Sequence, residues 1–165
     1  MPRIAVVSDT HIPSRASEIP AWVREEVDAA DLVVHAGDFD SPEAYESFRE
    51  LAPDAVCVTG NMDPGSLGLP TTETFEAGGV RFVVTHGTGD LATYEERVAG
   101  IVADHAADRP TVGISGHTHQ RADREVDGYR LLNPGSATGA DPATETSMFV
   151  LEAEGGEVAV EALVE

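Results

Sequence analysis

Five short apolar runs, each leading into polar side chains of the kind that hold metals, constrain this chain more than any other feature. They occupy residues 3–8, 32–36, 55–59, 80–85 and 112–114. Each is rich in β-branched residues and too short for a helix, so each reads as a buried strand. The first runs into Asp9-Thr10-His11, the second into Gly37-Asp38, the third into Gly60-Asn61, the fourth into His86-Gly87 and the fifth into Gly116-His117-Thr118-His119. In open α/β sheets, functional groups collect beyond the carboxyl ends of the strands. Asp9, His11, Asp38, Asn61, His86, His117 and His119 are therefore expected at one edge of the molecule.

Helix signals lie between the runs. Pro20 suits a first helical turn, with Trp22, Val23 and Val27 on the inward face. Ser41-Pro42-Glu43 combines a capping hydroxyl, a proline at the first helical position and an acid in the first turn, which predicts a helix to about Leu51. Thr93 and Glu96 form a candidate capping box ahead of the Val98, Ile101, Val102 stripe, and His105 reads as a plain surface residue on that helix. Residues 64–79 read as a long surface loop with one short strand near Thr74-Phe75-Glu76. After His119 the texture changes to three strands at 129–132, 147–152 and 157–164 without intervening helices. The Asn133-Pro134-Gly135-Ser136 turn is expected beside the site. No repeat, linker or low-complexity tract divides the chain. Residues 1–165 read as one α/β domain with mixed sheets.

The donors themselves narrow the chemistry. In an extended segment residues i and i+2 share a face, so His117 and His119 can address one volume, with Gly116 allowing the bend. Seven nitrogen and oxygen donors exceed one tetrahedral site and suit two ions about 3.5–4 Å apart with a shared carboxylate. With no thiolate among them, they favour manganese, iron, cobalt, nickel or zinc over copper(I). Cys57 reads as a small apolar strand residue, His35 as a core residue or one that backs a ligand, and Asp40 as a turn residue.

Composition excludes several classes. Against 30 acidic residues stand 10 basic ones, all arginine, for a net charge of −20. Polyanion binding needs basic residues to displace phosphate counterions, and no basic cluster exists, so a nucleic-acid polymer is not expected as a partner. The acid-rich, lysine-free surface resembles those of proteins from salt-loving organisms. A single cysteine allows no internal disulfide, and no apolar run approaches membrane-spanning length. The amino terminus enters a strand pattern without a signal peptide, so a cytoplasmic protein is expected. Homo-oligomerisation is left open.

In order, Asp-x-His, Gly-Asp, Gly-Asn, His and Gly-His-x-His resemble the motifs of the calcineurin-like metallophosphoesterase superfamily. The wording His35-Ala36-Gly37-Asp38, the Asn133–Ser136 turn and the short length are most similar to its small YfcE-type phosphodiesterases. The resemblance implies a four-layer αββα sandwich of two mixed β-sheets flanked by helices. It implies two divalent ions, Mn²⁺ first among Ni²⁺, Fe²⁺, Co²⁺ and Zn²⁺. Asp9, His11 and His119 would hold one, Asn61, His86 and His117 the other, and Asp38 would bridge them. It further implies a small phosphoester substrate, a diester in preference to a monoester, attacked in line by a hydroxide shared between the ions. Many members carry histidine after Gly-Asn as the general acid; here Met62 stands there, leaving water or a residue such as Asp63 to supply a proton. The alternative is a scaffold or protein-binding module, because a retromer subunit shares this fold.

Overall fold

The computed structural model describes residues 2–165. In chain order the elements are β1 (Arg3–Val7), α1 (Ala21–Ala29), β2 (Leu32–His35), α2 (Pro42–Leu51), β3 (Val56–Cys57), β4 (Thr72–Ala77), β5 (Val80–Thr85), α3 (Tyr94–Asp104), β6 (Thr111–Ile114), β7 (Arg121–Val126), β8 (Tyr129–Pro134), β9 (Ser147–Glu154) and β10 (Glu157–Val164). They build two five-stranded sheets, ordered β10-β9-β1-β2-β3 and β4-β5-β6-β8-β7. Both are mixed. β1, β2 and β3 run parallel beside the antiparallel β9 and β10, and β5, β6 and β8 run parallel between the antiparallel β4 and β7.

Alternation along the strands sorts the side chains into three apolar layers. Ile4, Val6 and Val34 of the first sheet meet Phe82, Val84, Ile114 and Leu132 of the second between the sheets. Ala5, Val7 and Val33 turn outward beneath Val23 and Val27 of α1 and Phe48 of α2. On the far side Val83 and Leu131 lie beneath Val98 and Val102 of α3. A fully buried Phe82 or Ile114 stabilises the fold by about 1.5–3 kcal/mol, which makes the inter-sheet layer the main anchor of the site above it. The expected four-layer sandwich is the observed one. Among the described residues no helix is long and apolar enough to cross a membrane.

Local signals held unevenly. Ser41 caps α2, its hydroxyl accepting from the Ala44 N–H at 3.1 Å. Pro20, by contrast, is the residue before α1 with ψ 147°, and Thr93 precedes α3 without capping it, so the expected capping box does not form. Thr93 Oγ1 instead accepts from Arg97 Nη1 at 2.7 Å. The third strand is shorter than expected, and β7 was not foreseen. Its polar run Arg-Ala-Asp-Arg-Glu-Val hides a strand paired with β8 through the Asp127-Gly128 turn, where both residues have positive φ. Asp-Gly is a strong hairpin signal.

Candidate metal centre

Of the six parallel strands, β1, β2, β3, β5 and β6 run into the turns that carry the seven predicted donors. These turns are sterically unusual. Asp9, His11, Asp38, Asp40, His117 and His119 all have positive φ, between 43° and 84°. Such backbone costs roughly 1–3 kcal/mol per non-glycine residue and persists only where surroundings enforce it. Here the enforcement continues the sheet pairing: Asp9 N–H donates to Gly37 O at 3.0 Å, His11 N–H to Asp38 O at 3.0 Å and Ile12 N–H to Phe39 O at 3.1 Å. His117 and His119 are therefore not on an extended segment. β6 ends at Ile114, and the two rings diverge to different neighbours. Gly116 serves by close approach, since a Cβ there would collide with Ser8 Oγ and lie 2.7 Å from Asp9 Oδ2.

Each of the four histidines is anchored on its outer nitrogen. His86 Nδ1 lies 2.7 Å from Ala36 O, His119 Nδ1 2.9 Å from Ala140 O and His117 Nε2 2.9 Å from Gly89 O. His11 Nδ1 lies 2.8 Å from Asp40 Oδ1. Carbonyl and carboxylate oxygens only accept, so the outer nitrogens carry the protons and, in the neutral rings, the inner ones turn lone pairs into a common volume. His11 Nε2 and His119 Nε2 are 3.1 Å apart there. Asp38 Oδ2 lies 3.4 Å from His11 Nε2 and 3.1 Å from His86 Nε2. Asn61 Oδ1 lies 3.2 Å from both His86 Nε2 and His117 Nδ1. Asp9 Oδ1 is 3.4 Å from His119 Nε2, buried, and without a hydrogen-bond partner among the described residues.

Ligands on one cation with bonds of about 2.1 Å sit roughly 3.0–3.4 Å apart, so these spacings fit coordination. One atom each from Asp9, His11, Asp38 and His119 falls within 4.8 Å of the others, and all four residues are buried. Asn61, His86 and His117 adjoin them through Asp38. Electrostatics agree. Burial opposes charge on His86, yet the hydrogen bond to Asp38 and the charges of Asp9 and Asp38 outweigh it and push its pKa up to about 9. Burial likewise works against the Asp38 carboxylate, but His86, the Met62 N–H and His11 hold its pKa down at about 2. The volume therefore favours positive charge.

Residues that sequence reasoning passed over hold this arrangement. Asp63 accepts from the N–H groups of Asp38, Phe39, Asp40 and Gly60 at 2.7–3.0 Å, so its carboxylate ties the second and third turns together. It is turned to backbone rather than to the cavity, which corrects its expected role as a proton donor. Asp40 is a partner of His11 rather than a plain turn residue; Asp38-x-Asp40 repeats the i, i+2 spacing of Asp9-x-His11 and was readable. Asn133 Nδ2 donates to Gly116 O at 3.0 Å and to Thr118 Oγ1 at 2.9 Å, and Ser136 Oγ donates to Asp9 O at 2.7 Å. His35 is fully buried behind the site, and His105 is exposed at the end of α3, both as expected. Met62 contributes its N–H to Asp38 Oδ1 at 2.8 Å while the residue stays 44% exposed.

The calcineurin-like phosphoesterase superfamily domain matches residues 2–156. The chain belongs to that superfamily. A relative described as a probable metallophosphoesterase, from Methanothermobacter thermautotrophicus, is 42% identical over 157 residues, covering 92% of this chain and 86% of that protein. Among solved structures, Vps29 of Chaetomium thermophilum superposes with a TM-score of 0.80 at 23% identity over 99% of this chain and 98% of that one, a likeness of fold. Vps29 of Entamoeba histolytica in complex with Zn²⁺ gives a TM-score of 0.74 at 29% identity, covering 98% of each chain. For a calcineurin-like phosphoesterase, the strained turns and converging donors at the strand ends are where a divalent metal site is expected.

Proposed function

We propose that this protein is a phosphodiesterase that works with two divalent cations, manganese foremost. The observation that carries the reading is the convergence of nitrogen and oxygen donors on one volume, with the buried Asp9 Oδ1, which lacks a hydrogen-bond partner among the described residues, in the set. A buried carboxylate oxygen left without a hydrogen bond costs more than ~1–3 kcal/mol unless a cation faces it. On this reading Asp9, His11 and His119 would hold one ion, Asn61, His86 and His117 the other, and Asp38 would be shared between them. Bound there, the cations supply Lewis acidity, generating a water-derived nucleophile near neutral pH and offsetting charge on the phosphoryl oxygens. The chain's own residues do the rest. The anchored outer nitrogens fix ring orientation, Asp63 and Met62 N–H aim Asp38, and a protein of net charge −20 admits an anionic substrate because positive charge is concentrated in this one volume.

The Vps29 likeness favours a second reading, a scaffold on the same fold. Metal binding does not separate the two, because a Vps29 is itself described in complex with Zn²⁺. Turnover does. The test is hydrolysis of aryl and alkyl phosphodiesters, phosphomonoesters and cyclic nucleotides by Mn²⁺-loaded protein. With a methionine where a general acid would stand, aryl diesters should be cleaved far faster than alkyl ones, and Met62→His should raise the alkyl rates selectively, by up to ~10²-fold. Absence of turnover on every substrate, with the metals bound, would sink the enzymatic reading.

A further inference from the structure

His117 is anchored by Gly89 O, in the glycine-flanked loop between β5 and α3, as His119 is anchored by Ala140 O in the loop between β8 and β9. The Gly89 loop has its own fastening. Arg97, in the first turns of α3, donates from Nη2 to Gly87 O at 2.8 Å and from Nη1 to Asp90 O at 3.1 Å. One guanidinium thus grips the chain on both sides of Gly89. Its plane lies flat on that glycine, because a Cβ at position 89 would sit 2.9 Å from Cζ, 3.0 Å from Nη2 and 3.1 Å from Nε. Arg97 Nη1 also donates to Thr93 Oγ1 at 2.7 Å, while Nε is buried with no hydrogen-bond partner among the described residues. Tyr94, one turn earlier on α3, stacks toward His117 with ring centroids 6.3 Å apart and fastens Gly116 O at 2.7 Å.

We infer that Arg97 is a positioning residue for His117, acting through the Gly89 carbonyl to keep the Nδ1 lone pair aimed at the volume shared with Asn61 and His86. The inference rests on the proposed two-cation reading for its consequence, though not for its geometry. A single carbonyl anchor determines the tautomer. While Gly89 O accepts from Nε2, Nδ1 is bare and available to a cation; if the loop moves, the ring can exchange tautomers and present a proton inward. Lysine cannot replace arginine here, because one ammonium lacks the fork that reaches two carbonyls on opposite sides of a residue.

Two measurements test this. Long-range proton–nitrogen NMR spectra of the metal-free protein, at a pH where the ring is neutral, should show His117 protonated on Nε2. Arg97→Lys and Arg97→Gln should turn it into a mixture of tautomers while leaving His119 unchanged. Stepwise Mn²⁺ or Zn²⁺ titration of the same proteins should then weaken one binding step by ~10–100-fold and leave the other intact. A parent His117 protonated on Nδ1, or variants whose tautomer and both binding steps match the parent, would overturn the inference. If one Arg97 variant does not fold, the other decides, and a parent ring protonated on Nδ1 overturns the inference without either. A parent that binds no second metal would refute the two-cation reading while the tautomer still reports on the clasp.

Discussion

Asp38 turns its two oxygens to different tasks: Oδ1 accepts the Met62 N–H, and Oδ2 stands between His11 and His86. Asp38→Asn keeps the shape and one acceptor but removes the charge, so occupancy of both cation positions should fall by more than ~100-fold with the fold retained. Elemental analysis after dialysis checks this, and two metals per chain in the variant would refute the shared-ligand role. His105→Ala, on the exposed end of α3, should leave occupancy and stability unchanged. A second residue-scale prediction concerns His35. Its Nδ1 accepts from the Gly37 N–H at 3.1 Å, and its Nε2 lies 3.1 Å from Thr10 Oγ1, an arrangement only the neutral ring can make. Burial, the largest influence, pushes its pKa from 6.5 down to about 3. The unfolded chain therefore binds the extra proton first, so this stability is complete above pH 6.5 and is lost as pH falls toward 3. The slope is ~1.4 kcal/mol per pH unit. Urea midpoints of metal-free protein between pH 6.5 and about 4.5 should show this slope, and His35→Gln should lack it. Parallel slopes would remove His35 as the cause.

At the scale of elements, α2 carries the most legible signal in the chain, and it also touches the site. Ser41 Oγ accepts from Ala44 N–H and donates to Ile12 O at 3.0 Å, joining the helix start to the turn that holds His11. Ser41→Ala should therefore cost about 1–2 kcal/mol in urea unfolding, near the upper end for a cap, while leaving metal occupancy close to that of the parent. A loss within error would show that Pro42 and Glu43 start the helix unaided. Strands β1, β2, β5 and β6 declare themselves because burial on both faces demands continuous apolar runs, and their polar ends then point to the site without any knowledge of packing. β7 was hidden because it borders the sheet and needs only β8 as a partner, so its residues remain polar. The donor types were legible and their geometry was not. Left-handed backbone at six positions, the four N–H groups on Asp63 and the carbonyl anchors at Ala36, Gly89 and Ala140 arise from contacts between distant turns. Residue periodicity reflects one segment at a time.

For the whole molecule the governing quantity is net charge, −20 for 165 residues. Two opposing salt effects follow. Added salt weakens the ion pairs that arginine makes with Glu26, Glu76, Glu95, Asp123 and Glu145, but these are solvent-exposed to varying degrees and worth at most ~1 kcal/mol each. It also screens repulsion among the remaining carboxylates. Those five are a small share of the 30 acidic residues, so among the described residues most carboxylates have no arginine partner to lose, and the repulsive contribution dominates. The screening length falls from ~10 Å at 0.1 M to ~3 Å at 1 M salt, spanning the distances between neighbouring surface charges. The melting temperature of the metal-free protein should therefore climb with potassium chloride from low to molar concentration. Because the site concentrates negative donors in one buried volume, metal-loaded protein should begin from a higher melting temperature and gain less from salt. A flat or falling curve for the metal-free protein would show that self-repulsion is not what limits this fold, and that the acid-rich surface is not an adaptation to concentrated salt.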